Sequence, residues 1–177
     1  MSIRYESLDP AVRTSMVGEL ERDQANSSVY ISPRLNEGGA AAWPQLLREA
    51  FQHHDDAWLA ATLRSHSYMR AEEQRQKPKG GFTSARVPHT APDTLAEGEF
   101  NRFYARGLCA QILESGGIEV EVYRGKAVER PRAESEAMIG RRFPARSLLD
   151  DLRTAQGVEP ALGLPPGPNS GITVRRV

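Results

Sequence analysis

The stretch TLAEGEFNRFYARGLCAQILESGGIEVEVYRGK, Thr94 to Lys126, decides the fold. In its first part Phe100, Phe103, Tyr104, Leu108, Ile112 and Leu113 recur at helical steps, which puts them on one helix face. Thr94 and Glu97 have capping-box spacing, and Gly116-Gly117 supplies a stop. The period then changes to two. Ile118, Val120 and Val122 alternate with Glu119, Glu121 and Tyr123, which marks a strand in a sheet covered on one side. A long helix running straight into an amphipathic strand selects an α+β class.

Working outward, Asp9 and Pro10 open a helix on which Val12, Met16, Val17 and Leu20 share a face, and Asn26-Ser27-Ser28 closes it. Val29–Ser32 reads as a short strand cut by Pro33. Pro44 is expected to start a helix faced by Leu46, Leu47, Ala50 and Phe51. Asp55 or Asp56 caps the next, with Trp58, Leu59, Thr62 and Leu63 inward. Residues 70–81, RAEEQRQKPKGG, have little to bury and read as linker-like. Phe82–Val87 is extended without a clear apolar face, and Pro88 and Pro92 bar a long central strand.

Beyond the long helix, Pro131 starts a short helix, and Leu148, Leu149 and Leu152 mark another that Gly157 ends. Pro165, Pro166 and Pro168 stiffen the next segment, and GITVRRV (171–177) alternates like a strand. The expected organisation is a single domain over 1–177. It comprises a helical part (1–69), the linker-like 70–81, an α+β part (82–157) and a Pro/Gly-rich extended arm (158–177). The fold expected is mainly helical α+β, with several short helices around one long central helix, a small sheet and the arm.

The 177 residues suit one hydrophobic core, and 26% charged against 39% hydrophobic residues is ordinary globular composition. Net charge is zero, so no global field draws the chain to nucleic acid or an anionic membrane. The basic residues are twenty Arg and three Lys: Lys77, Lys79 and Lys126. A lone Cys109 excludes an intramolecular disulfide and a cysteine-cluster metal site. No stretch has the roughly 20 apolar residues of a membrane span. The opening MSIRYESLDPAV lacks a signal-peptide core, so a soluble protein with no membrane partner is expected.

Side chains with chemical potential are scattered. His53, His54, Asp55 and Asp56 are consecutive, and neighbours on a helix point about 100° apart, so four in a row do not converge on one ion. Glu129, Glu134 and Glu136 stand among Arg130 and Arg132, a pattern of surface ion pairs. His66 and His89 are isolated, and Cys109 reads as a small buried residue. PKGGF lacks the Lys-Ser/Thr of a phosphate loop. No catalytic, metal or cofactor-binding set emerges, and no cofactor is expected. Basic clusters lie at RQKPKGG, GRRF and VRRV. With Phe82 and Phe143 beside two of them, Lys77, Lys79, Phe82, Arg141 and Arg142 are the candidate nucleic-acid contacts.

The strings AEGEFNRFY, EVYRGK, PRAESEAMIG and LGLPPGPNSG, with LLDDLR between, carry a resemblance that covers about residues 9–177. The chain resembles a group of small proteins encoded by tailed bacteriophages and prophages near their head genes. No enzymatic motif accompanies that group, so the resemblance implies no catalytic residues. It implies a non-enzymatic structural protein, made in the host bacterial cytoplasm and located in the virion, at the head or the head-to-tail junction. Such a protein would act through protein–protein contacts with other virion proteins and with further copies of itself.

On that reading Ile172, Val174 and Val177 bury apolar groups on a neighbour, backbone 171–176 pairs with its sheet edge, and Arg175 and Arg176 meet carboxylates or packaged DNA. Deleting 161–177 would then leave a folded body that cannot assemble. The alternative is a nucleic-acid-associated accessory protein using the Arg clusters. A third reading, an enzyme using His53, Asp55, Asp56 or His89, requires a concave pocket where at least two of these meet.

Overall fold

The computed structural model describes residues 2–78, 80–154 and 170–177. Six helices and two small antiparallel sheets make a mainly helical α+β fold among those residues. Asp9 caps α1 (Pro10–Ala25), its carboxylate accepting from the Val12 N–H at 2.9 Å. Asp55 does the same for α3 (Asp56–Ser65) at the Trp58 N–H. Between them α2 spans Glu37–His53.

The long helix, α4 (Ala91–Glu114), is the centre on which α1, α3 and α6 (Ala145–Thr154) pack. Trp43, Leu47, Phe51, Phe100, Phe103, Tyr104 and Leu108 are buried in one cluster that also takes in Val12 and Val174. Gly116, at φ +82°, turns the chain out of α4 as the sequence requires. The strand that follows, β3 (Glu119–Arg124), is the middle of a three-stranded sheet. Its neighbours are β4 (Arg142–Pro144) and β5 (Ile172–Arg176). A single-turn helix, α5 (Ala133–Glu136), lies in the connection after β3. Among the described residues no helix is long and apolar enough to cross a membrane.

Several elements differ from the expectation. α2 starts seven residues before Pro44, at an Asn36 cap whose side chain accepts from the Gly39 N–H at 2.8 Å, and Pro44 lies inside the helix. Gly39 is a close-approach residue: a Cβ there would stand 2.5 Å from the Tyr68 carbonyl oxygen. α4 starts at Ala91, with Pro92 in the first turn, where its missing N–H costs nothing. Glu97 is therefore an interior helix position, and it turns inward to Lys126 instead of closing a capping box. Val29–Ser32 forms no strand; Leu35 makes one bridge to Met69. Ile118 precedes β3 and is 73% exposed. Tyr123, on the supposedly open face, is buried, because residues 4–7 cover it and the Glu6 N–H donates to its hydroxyl at 2.8 Å.

The linker-like 70–81 contains instead β1 (Glu72–Gln76), which pairs with β2 (Phe82–Arg86). The extended arm 158–177 is corrected over its described end: residues 172–176 are β5, paired with β3 of the same chain. Gly157, Pro165, Pro166 and Pro168 lie outside the described residues.

Candidate functional site: a hairpin left bare by its own body

β1 and β2 form a two-stranded ribbon in the register Glu72↔Arg86 to Gln76↔Phe82. No residue of either strand is buried, and Phe82 is 68% exposed. The ribbon pairs with no other described strand. Gly80 and Gly81 make its turn possible, with φ of +88° and +80°, values that a side chain resists. The Lys77 N–H closes the turn on the Gly81 carbonyl at 2.9 Å.

Only the base is tied to the body. Arg34 grips Glu73 with two nitrogens at 2.5 and 3.2 Å, Arg75 joins the same carboxylate, and the Arg70 N–H donates to the Arg34 carbonyl. Arg34, then Arg75, holds the Glu73 carboxyl below its ordinary range. Five-residue strands carry the turn about 17 Å outward. A lone hairpin of this kind is marginally stable in water.

The residues expected to dock on a neighbour are spent internally. Ile172 and Val174 are buried in the chain's own core. The outer edge of β5 is engaged at both ends: Asn101 donates to the Ile172 carbonyl at 3.1 Å, and the Arg176 N–H donates to the Ser7 hydroxyl at 3.2 Å. Arg175 binds Glu121 at 2.6 Å and Glu6 at 2.9 Å; Arg176 binds Asp9 at 2.7 Å and Gln111 at 2.8 Å. Only Val177 stays exposed. Removing 161–177 therefore takes β5 out of the chain's own core.

The nucleic-acid candidates split. Lys77 and Phe82 share the hairpin, and Lys79 lies outside the described residues. Arg141 and Arg142 sit on or beside β4, in the other sheet. Phe143 is buried there under the Arg141 guanidinium, 5.4 Å from the ring centroid, so it offers no face to a base.

His53, Asp55, His54, Arg13 and Trp58 line a recess of about 450 Å³. Two of the groups named for the enzyme reading thus do meet at a concavity. Several polar groups around the recess are committed to helix ends. Arg13 donates to the carbonyls of Ala50, Phe51 and His54, closing α2. Asp55 caps α3, and the His54 ring stacks on Trp58 at 4.3 Å. His66 is stacked on Tyr68, and His89 is not part of the recess. Among the described residues no group of three or more His, Cys, Asp or Glu is placed to hold a metal.

Asp56 turns inward instead. Its Oδ2 accepts from the Ile3 N–H at 3.5 Å, while its Oδ1, the Glu97 Oε1 and the Tyr5 hydroxyl are buried without a hydrogen-bond partner. Burial pushes the Asp56 carboxyl up to about 6, the Asp55 charge adding to it, and burial pushes Glu99 up to about 7. Burial likewise raises Cys109 to about 12, so its thiol is held unreactive.

Carboxyls raised in the fold stabilise it fully below their unfolded values and lose that contribution as pH climbs through the folded ones. Stability is therefore expected to fall between about pH 4 and 7 on their account, by roughly 1.4 kcal/mol per tenfold change in proton affinity. Thermal melts should show Asp56→Asn and Glu99→Gln each flattening that slope and raising the melting temperature at pH 7.5. Unchanged slopes in both variants would remove the assignment.

Two groupings were beyond sequence reasoning: the bare hairpin, whose strands have no apolar face to announce them, and the inward turn of Asp56. Comparison with protein-family models, with curated proteins and with solved structures yields no match to this chain.

Proposed function

We propose that this chain is a non-enzymatic structural component of a tailed-phage particle, at the head or the head-to-tail junction. It would be made in the host cytoplasm and take its place among other virion proteins and further copies of itself. The observation that carries the reading is the hairpin 72–86, which its own body holds only at the base and no strand residue of which is buried. The sequence resemblance to proteins encoded near phage head genes supplies the kind of particle. The docking element moves from the C-terminal strand, which is consumed by the core, to this hairpin.

The test replaces residues 74–84 with a short Gly-Ser loop. The body should melt within a few degrees of the wild type, since the strands bury nothing. The wild-type chain should co-purify with particles from the induced prophage that encodes it, and the loop variant should not. Particles lacking the wild-type chain, or holding both chains equally, would overturn the reading.

A further inference from the structure

The reading above leaves the hairpin's ligand open, and the inference here rests on that reading. From Gln74 to Pro92 the chain has no Asp or Glu, although it holds twenty-three elsewhere. The same stretch holds four cations, Arg75, Lys77, Lys79 and Arg86, including two of the three lysines in the chain. Counted over the whole hairpin, 72–86, the balance is four Lys/Arg against two Asp/Glu, with nineteen against twenty-one in the rest of the chain, so the neutral total conceals a cationic hairpin on a mildly anionic remainder.

Distance decides which charge a ligand meets. The strands carry the turn about 17 Å from the base, and the Debye length at physiological ionic strength is about 8 Å. Two screening lengths separate the tip from the body, so the body's negative charge is largely invisible there. The acids on the ribbon itself, Glu72 and Glu73, sit at its base. Glu73 is neutralised by Arg34 and Arg75, and Glu72 stands opposite Arg86.

Lys77 is exposed, and across the turn Phe82, paired with Gln76, is two-thirds exposed. The space around Gly80 and Gly81 is open, since a Cβ at either would meet nothing within 4 Å. We infer that this tip binds nucleic acid: Lys77 meets a phosphate, and the Phe82 face stacks on a base. A uniformly acidic protein surface would satisfy Lys77 but gives an exposed phenyl ring no matching plane. A nucleotide satisfies both, its phosphate meeting the ammonium and its base the ring. Arg141 and Arg142 take no part.

The test is fluorescence anisotropy of the full chain with labelled single-stranded and duplex 30-mers at 50 and 200 mM salt. The wild type should bind, more tightly to the single strand if Phe82 stacks, and weaken as salt rises, with a log–log slope of about −0.7 to −0.9 per phosphate contacted. Lys77→Glu should lose affinity about fivefold or more and flatten the slope. Phe82→Ala should lose about tenfold with the slope kept. Arg146→Glu, an exposed cation on α6, should stay within about twofold.

Circular dichroism melts confirm that each variant is folded. No binding at 50 mM salt, or binding indifferent to the hairpin variants, overturns the inference. If those variants are lost from purified particles while the wild type binds no nucleic acid, the hairpin docks on protein, and the structural reading stands without this one.

Discussion

Replacing Arg106 with leucine should cost about 3–5 kcal/mol, a large part of what holds a domain of this size together. The guanidinium is wholly buried in the middle of α4. Its Nε donates to Glu19 Oε2 at 2.9 Å, and Nη1 and Nη2 each donate to an oxygen of Asp23 at 2.7 Å. Arg153 of α6 closes the other side of Glu19 at 2.6 and 3.0 Å, and the Phe103 ring lies 4.7 Å from the Arg106 guanidinium carbon. Three helices are thus joined by one alternating row of charges.

Burial would raise the Glu19 carboxyl, but Arg153 and Arg106 outweigh it and hold the group below its ordinary range. Leucine leaves Asp23 inside with no cation against it, which is far worse than removing the whole group. Urea unfolding followed by circular dichroism measures the loss. The triple variant Arg106→Leu, Glu19→Gln, Asp23→Asn should recover much of it. A single variant within about 1 kcal/mol of the wild type would show that the network contributes little.

Gly107→Ala should destabilise by about 1–3 kcal/mol, although alanine is the better helix former. A Cβ at this position would lie 2.6 Å from Met16 Cγ, 2.8 Å from the Met16 nitrogen and 3.0 Å from the Val12 carbonyl oxygen. Met16 could swing aside, but the α1 backbone cannot, so α1 and α4 must separate. Separation also lengthens the bonds from Arg106 to Glu19 and Asp23, so the two substitutions share a contact. Their effects should be non-additive in a double-mutant cycle. Gly18, with nothing within 4 Å of a would-be Cβ, is the control: Gly18→Ala should be neutral or stabilising.

The readable parts of the fold were those where period and punctuation agree. The stripe of α4, its glycine stop and the alternation of β3 are all visible, because a continuous apolar face forces one geometry. α2 was misplaced because Pro44 resembles a start while the real signal, Asn36 before two glycines, looks like a loop. Gly39 is there for Tyr68, which no local reading sees. Arg106 carries no signal of burial of its own in the sequence. A clue existed in Glu19 and Asp23, which continue the three- and four-residue steps of Val12 and Met16 and so place two acids on an inward face. β5 was legible as a strand but not in its pairing, since alternation says nothing about whose sheet edge is filled. The hairpin was illegible for the opposite reason: with nothing apolar to bury, its strands resemble a linker.

The stitching of residues 4–9 to β5 also sets an order of events. The bond from the Arg176 N–H to Ser7 closes a sequence separation of 169, and the Arg176–Asp9 pair one of 167. Such closures are entropically expensive and kinetically late, whereas helices and a tight hairpin form within microseconds. The helical bundle should therefore collapse first, with β3 unpaired on one side until β5 arrives. An intermediate with a bare strand edge is prone to pair with the wrong molecule. For this chain the hazardous moment is the wait for its last strand, and refolding yield should drop with protein concentration even though the finished fold leaves that edge covered.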